Sequence, residues 1–134
     1  PPYLGTGIAV KRISPDYREV RVQMKLRWYN RNYVKTHFGG SLYAMTDPFF
    51  MLMLIHILGK DYVVWDKAAH IDFIKPGRGT VTADFLVHEE QIQDIIDRTS
   101  NGEKCFPGFS VDIKNESHDV VARVNKTLYV RKKR

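Results

Sequence analysis

Strict alternation of apolar and polar residues predicts several strands along this chain. The clearest run places polar side chains between five apolar ones, Val20, Val22, Met24, Leu26 and Trp28. This period of two is typical of an antiparallel strand with one buried face. A weaker strand over 7–13 precedes it, joined through the turn Ser14-Pro15-Asp16. Further strands are expected over 63–75, 81–87, 109–114 and 120–130, with a bulge near Asn125 and Lys126, where the alternation slips.

Between the second and third strands lies a stretch that is apolar on all sides. It predicts a long helix from about Gly39 to Leu58, ending before Gly59. Pro48 has no N–H to donate and clashes with the preceding turn, so a kink is expected just after Asp47. Asp47, Pro48 and His56 interrupt the apolar run and argue against a membrane span. A second, amphipathic helix is expected over 89–99, with an apolar face of Ile92, Ile95 and Ile96.

The order of these elements predicts an α+β architecture. Two strands precede the long helix, and four strands interrupted by a short helix follow it. An antiparallel sheet that wraps one long central helix would bury a helix that is apolar on all sides, with further cover from a second subunit. The 134 residues fit one domain over 1–134 and are enough for a substantial core.

Composition and charge limit the classes of ligand that the chain is expected to bind. The chain is 43% hydrophobic and 27% charged, as in ordinary soluble proteins. Its net charge of +6 suggests an anionic ligand such as a nucleic acid, an anionic lipid or coenzyme A, although the basic run 131–134 supplies much of the excess. The single cysteine, Cys105, cannot form an internal disulfide, and the opening residues do not resemble a signal peptide. A cytoplasmic location is therefore expected.

The glycine pair Gly39-Gly40 and the carboxylate of Asp47 are the main candidates for chemistry. A helix that starts at the glycines exposes backbone N–H groups with partial positive charge, which can hold a developing oxyanion. A carboxylate seven positions after Gly40 is a candidate base or nucleophile. The alternative is that Asp47 is a structural carboxylate that accepts hydrogen bonds around Pro48.

The segment Asn32-x6-Gly39-Gly40-x6-Asp47 resembles the site motif of the phenylacetyl-CoA-type acyl-CoA thioesterases, which have the hotdog fold. That family reads Asn-x-x-Gly-x-x-His-Gly-Gly, then Leu-Ala-Asp on the helix. The strand-turn-strand pattern over 73–83 is also similar. The chain departs from the motif in having Lys35 for a glycine, Phe38 for the histidine and Pro48 after the aspartate. The closest likeness is to an uncharacterised, thioesterase-like branch of the fold.

The resemblance implies acyl-CoA hydrolysis in a homodimer or dimer of dimers, with sites shared between subunits. The Gly40 amide would polarise the thioester carbonyl, and Asp47 would be the base or nucleophile. Asn32 would orient water or the carboxylate, and His37 would donate near the thioester. The substrate would be bound by Phe38, Gly39, Thr46, Lys75 and Arg78, the last two near the coenzyme A phosphates. Coenzyme A would enter as part of the substrate, and no other cofactor or metal is expected.

Three alternatives remain open at this stage. A non-catalytic acyl-CoA or lipid-binding hotdog protein is favoured by Phe38 and Pro48. A hotdog dehydratase is suggested by His37-Phe38-x-Gly40, but the acidic partner of that family lies further along the chain. The case for a nucleic-acid-binding module rests on net charge alone, so nucleic acid is not expected as a partner. A membrane is not expected either. Three methionines of the long helix, Met45, Met51 and Met53, would line an acyl pocket or simply form core.

Overall fold

An antiparallel sheet is the framework of this chain. The computed structural model describes residues 8–26, 45–75 and 79–133. Within them the strands are β1 (Ile8–Ile13), β2 (Glu19–Leu26), β3 (Tyr62–Phe73), β4 (Gly79–Leu86), β5 (Lys104–Cys105), β6 (Gly108–Lys114) and β7 (Val120–Lys132). The helices are α1 (Phe49–Leu58) and α2 (Glu89–Thr99). The sheet order is β1-β2-β4-β6-β7-β3, and β5 pairs with β7.

The predicted strands form, and β4, β6 and most of β7 alternate between a buried and an exposed face, whereas most residues of β3 are exposed. On β4 the buried residues are Val81, Ala83 and Phe85, and on β6 they are Phe109, Val111 and Ile113. On the outer face, Arg21 lies opposite Asp84, and its guanidinium donates to that carboxylate at 2.6 Å. Arg123 donates to Asp112 in the same way on β6 and β7. Cross-strand ion pairs therefore cover the solvent face, as expected of a half-buried sheet.

Helix α1 packs its aromatic residues on the inner face of the sheet. The Phe50 ring lies edge-on to Phe85 at a centroid distance of 5.1 Å and stacks on Phe109 at 5.0 Å. Phe50 and Met53 are fully buried, as is Met45 just before the helix, so these side chains form core. Met51 is half-buried against the same cluster.

The long continuous helix is not confirmed, because α1 has only 10 residues. A separate helical turn at Met45 and Thr46 precedes it, and Asp47 and Pro48 form a turn between the two. The predicted break after Asp47 is therefore confirmed, for the reason that proline cannot donate to the helical ladder. Residues 39–44 lie outside the described ranges. The helix ends at Gly59, as predicted, whose φ of 83° suits a residue without a side chain.

The expected bulge near Asn125 and Lys126 is wrong. The side chains of Ala122, Val124, Lys126, Leu128 and Val130 all point to the buried face, so the alternation is unbroken over this part of β7. One irregularity lies instead on the neighbouring strand, between Asp66 and Ala68 of β3, and another lies at the start of β7, where its register with β6 shifts at Val121. Lys126 is thus a lysine at an inward position of a strand that is paired on both sides.

Helix α2 and strand β5 complete the arrangement. The helix forms over the predicted residues and buries Ile92 and Ile95, while Ile96 stays partly exposed. Strand β5 was not predicted, because two residues are too short to show a period. It aligns Cys105 with Val130 of β7 and places the thiol in the core.

Candidate functional site

A buried ammonium between two carboxylates is the centre of the candidate site. The Lys126 Nζ lies 3.1 Å from Asp47 Oδ1 and 3.1 Å from Asp66 Oδ1. The three side chains come from β7, from the turn before α1 and from β3. Because both distances meet at one nitrogen, the two carboxylate oxygens are at most twice that distance apart. The group carries two negative charges and one positive charge when all three side chains are ionised.

The three side chains differ sharply in exposure. The Lys126 side chain is 2% exposed, whereas that of Asp47 is 39% exposed and that of Asp66 is 29% exposed. Burial lowers the pKa of the Lys126 ammonium, but hydrogen bonds to Asp47 and Asp66 and their charges raise it more, so its pKa lies above the usual value for lysine. Lys126 is therefore a fixed cation at neutral pH and not a nucleophilic amine. Asp47 and Asp66 are both partly open to solvent while they stay paired with this cation, Asp47 the more so.

The irregularity in β3 brings Asp66 to this site. Ala69 lies opposite Lys126, so in a regular strand the next inward residue would be Lys67. The shift between Asp66 and Ala68 puts Asp66 opposite Leu128 on the inner face instead. Lys67 projects to the outer face, where its ammonium lies 3.9 Å from the centre of the Phe106 ring. The bulge thus replaces an inward lysine with an inward carboxylate.

The structure locates only part of the expected site. Asn32, His37, Phe38, Gly39, Gly40 and Arg78 lie outside the described residues, so their predicted roles stay predictions. Asp47 is partly open, and Thr46 beside it is buried. Lys75 lies at the far end of β3 and pairs with Asp119 at 2.7 Å.

Sequence reasoning missed Lys126 and Asp66. One signal for Lys126 was present: a lysine at every-second-residue spacing from Val124 and Leu128, which are buried positions of a well-formed strand. It was interpreted as a slip in the pattern. No comparable signal marks Asp66, because its inward direction depends on the bulge.

Other candidate chemistry receives little support from the described residues. Burial raises the pKa of the Cys105 thiol, so this cysteine has no sign of an activated thiolate. No group of three His, Cys, Asp or Glu side chains in the described ranges is placed to hold a metal ion. A depression of about 560 Å³ opens on the outer face of the sheet, beside Asp84, Asp112 and Arg123, and so on the opposite face from Lys126. Among the helices in the described ranges, none is long and apolar enough to cross a membrane.

Comparison with known proteins places the chain in a family. Residues 1–130 match the model of a domain of unknown function, DUF4442, and the chain belongs to that family. No curated protein sequence matches the chain.

Several solved structures share its fold. A protein of unknown function from Pseudomonas aeruginosa, described as a probable thioesterase, is 17% identical over 96% of this chain and 85% of its own, with a TM-score of 0.78. The thioesterase HI1161 from Haemophilus influenzae is 15% identical over 98% and 82%, with a TM-score of 0.64. The PaaI protein from the phenylacetic acid degradation operon of E. coli is 19% identical over 95% and 81%, with a TM-score of 0.62.

These likenesses confirm the fold that the motif resemblance implied. The chain has the fold of the thioesterase-like hotdog proteins, an antiparallel sheet with helices packed on it. At these identities the comparison carries the fold alone. Site residues and substrate need a separate argument.

Proposed function

We propose that this protein is a thioesterase that hydrolyses acyl-CoA, with Asp47 as general base or nucleophile. The carboxylate of Asp47 carries the proposal: it lies where the helix breaks, is partly open to solvent, and is held beside a buried cation. The fold shared with proteins described as thioesterases supports the same class of reaction.

Hydrolysis joins a water oxygen to the thioester carbonyl carbon and breaks the bond from that carbon to sulfur. In the base route, Asp47 takes a proton from the attacking water, and the departing thiolate takes that proton up. In the nucleophile route, an Asp47 oxygen forms an anhydride with the acyl group as the thiolate leaves, and water then cleaves the anhydride. The backbone N–H of Gly40 is proposed to polarise the carbonyl oxygen. Asn32 and His37 are proposed to orient the reacting groups.

The proposed substrate contacts follow the motif resemblance. Phe38, Gly39 and Thr46 would bind near the thioester, and Lys75 and Arg78 would bind the phosphates of coenzyme A. Lys75 would then exchange its partner Asp119 for a phosphate oxygen. Coenzyme A is part of the substrate in this scheme, and no further cofactor or metal is invoked.

A homodimer, or a dimer of dimers, is the proposed assembly. Strand β3 forms one end of the sheet, so one of its sides is open to a further strand. Its exposed apolar residues include Trp65 and Phe73, with Ile74 just beyond its end. A second copy would cover this edge. A cytoplasmic location, with neither nucleic acid nor membrane as partner, completes the proposal.

Release of free thiol from a panel of short, medium, long and aromatic acyl-CoA substrates tests this function. We expect turnover on one class and a fall of about 10²–10⁴-fold in Asp47→Asn, the range for loss of a general base. Asp97→Asn, on the exposed face of α2, is the matched control and should keep full activity. Full turnover in Asp47→Asn would contradict the proposed role of Asp47.

The alternative is a non-catalytic acyl-CoA or lipid-binding protein. The pairing of Asp47 with Lys126 favours it, because one carboxylate oxygen is already occupied by the ammonium. This alternative predicts saturable binding of acyl-CoA with no thiol release on any member of the panel.

A further inference from the structure

Lys126 occupies a position where folding alone favours an apolar residue. Its neighbours on the same face of β7 are Val124 and Leu128, both fully buried, and the residue opposite on β6 is Phe109. Taking an ammonium out of water is unfavourable unless the charge is paired. Replacing buried ion pairs with apolar residues of similar size is often neutral or stabilising. A lysine at this position therefore fits a role in the site better than a role in packing.

The geometry connects the lysine to the proposed reacting group. The Nζ lies at the same 3.1 Å from Asp47 and from Asp66, and the ammonium is closed off from solvent while both carboxylates reach it. A charge-assisted hydrogen bond at this distance limits the rotation of a carboxylate. The strand that carries Lys126 is paired on both sides, so the backbone from which this side chain extends is held in place.

We infer that Lys126 is a positioning residue of the Asp47 site: its ammonium holds the Asp47 carboxylate in one orientation, while Asp66 anchors the ammonium from β3. This inference rests on the proposed function. Among these three side chains only Asp47 would contact the substrate, and Lys126 and Asp66 would act on it indirectly through their charges.

A positioning role has consequences that a packing role does not share. The charged groups that face Lys126 in the described residues include Asp66 on β3 and Asp47 before α1, and β6 contributes the apolar Phe109. Removing the ammonium leaves the Asp47 carboxylate without this hydrogen-bond donor, so its orientation is less restricted. Removing the Asp66 charge leaves the ammonium paired with Asp47 but without its anchor on β3.

The test is a separate measurement of kcat and KM for the acyl-CoA that the wild type hydrolyses best. Lys126→Met removes the charge at similar length, Lys126→Arg keeps it, and Asp66→Asn removes the second carboxylate. Lys132→Met, at an exposed position of the same strand, is the control. We expect kcat to fall by about 10²-fold in Lys126→Met with little change in KM, the effect of misplacing a reacting group by about 1 Å. The kcat should fall less in Asp66→Asn and stay unchanged in Lys132→Met.

The outcomes separate the inference from the proposed function. If Asp47→Asn is inactive and Lys126→Met keeps the wild-type kcat, the inference is wrong and the proposed function stands. If the wild type hydrolyses no acyl-CoA, the proposed function and this role both fall. A fall in kcat without a rise in KM in Lys126→Met, with recovery of kcat in Lys126→Arg, supports the inference. If Lys126→Met does not fold, Asp66→Asn decides alone, and an unchanged kcat there overturns the inference.

Discussion

Asp47 and Lys126 lie 79 positions apart in the sequence, and their side chains meet at 3.1 Å. The contact joins the turn before α1 to β7, which lies between β6 and β3 in the sheet. It therefore ties the geometry of the proposed site to the integrity of β7. Substitutions that disturb β7 should therefore change the position of the Asp47 side chain even where they do not contact it.

The stability of the protein should fall at alkaline pH through Lys126. The pKa of this ammonium is raised above its ordinary value of 10.5, so its ion pairs stabilise the fold fully below about pH 10.5. This contribution is lost as pH rises through the higher pKa of the folded state. Urea unfolding from pH 7 to pH 11.5 should show a decline that is smaller in Lys126→Met. Parallel curves for the two proteins would contradict the assignment.

Truncation of the same residue should also cost stability at neutral pH. Lys126→Ala leaves Asp47 and Asp66 without their shared cation and opens a cavity beside Leu128. We expect a loss of about 1–3 kcal/mol in the free energy of unfolding, the range for a partner left unsatisfied, because both carboxylates keep access to water. Lys132→Ala on the same strand should lose less than about 0.5 kcal/mol, as for a surface change.

Cys105 should react slowly and be dispensable for activity. Its thiol is buried and its pKa is raised, mainly by burial, so little thiolate is present at neutral pH. Because the chain has one cysteine, labelling with a thiol-reactive dye reports this site alone. We expect a rate well below that of free cysteine at pH 8, returning to it in urea. Cys105→Ala should retain thioester hydrolysis, and loss of turnover in a folded variant would instead indicate a catalytic thiol.

The Phe50 ring is expected to be a principal determinant of stability. It is fully buried and contacts the rings of Phe85 and Phe109. Phe50→Ala should reduce the free energy of unfolding by about 3–5 kcal/mol, through lost burial and the cavity left behind. Leu52→Ala, on the exposed side of the same helix at 42% exposure, is the matched control. Denaturant titration that gave equal losses for the two variants would show that α1 does not pack through Phe50.

Dimerisation through β3 predicts a difference between the two ends of the sheet. Phe73 on β3 is 56% exposed, and Val10 on β1, at the other end, is 46% exposed. We expect Phe73→Asp to weaken self-association at least about ten-fold, since a charge would be placed in an apolar contact, whereas Val10→Asp should not. Sedimentation equilibrium over a range of concentrations measures both. Equal effects, or a monomeric wild type, would exclude β3 as the dimer edge.

Local pattern was enough to predict most elements and the fold family. The alternation around Val22 and Val81 fixes which side chains face the core, and Pro48 fixes where the helix must break. These features depend on neighbours along the chain. The motif around Asp47 added the hotdog resemblance, which the shared fold confirms.

The composition of the site depends on contacts that sequence pattern does not encode. Lys126 appeared as a slip because a lysine at an inward position has meaning only once its counter-ions are known. Asp66 turns inward only because β3 has an extra residue relative to β7, and that register is set by pairing between distant strands. The predicted helix length fails for a similar reason, since Pro48 marks a break in the sequence without showing whether the segments on its two sides form one helix.

The position of β3 has a consequence for synthesis of the chain. Within the described sheet, β3 pairs with β7 and with no other strand, although β4 follows it directly in the sequence. On the ribosome, β3 must therefore wait without its partner until the last strand has emerged, at about 5–20 residues per second. During that interval its apolar face and both of its edges are open to other nascent chains. The edge proposed for a second folded copy is thus open to wrong partners from the moment that β3 emerges.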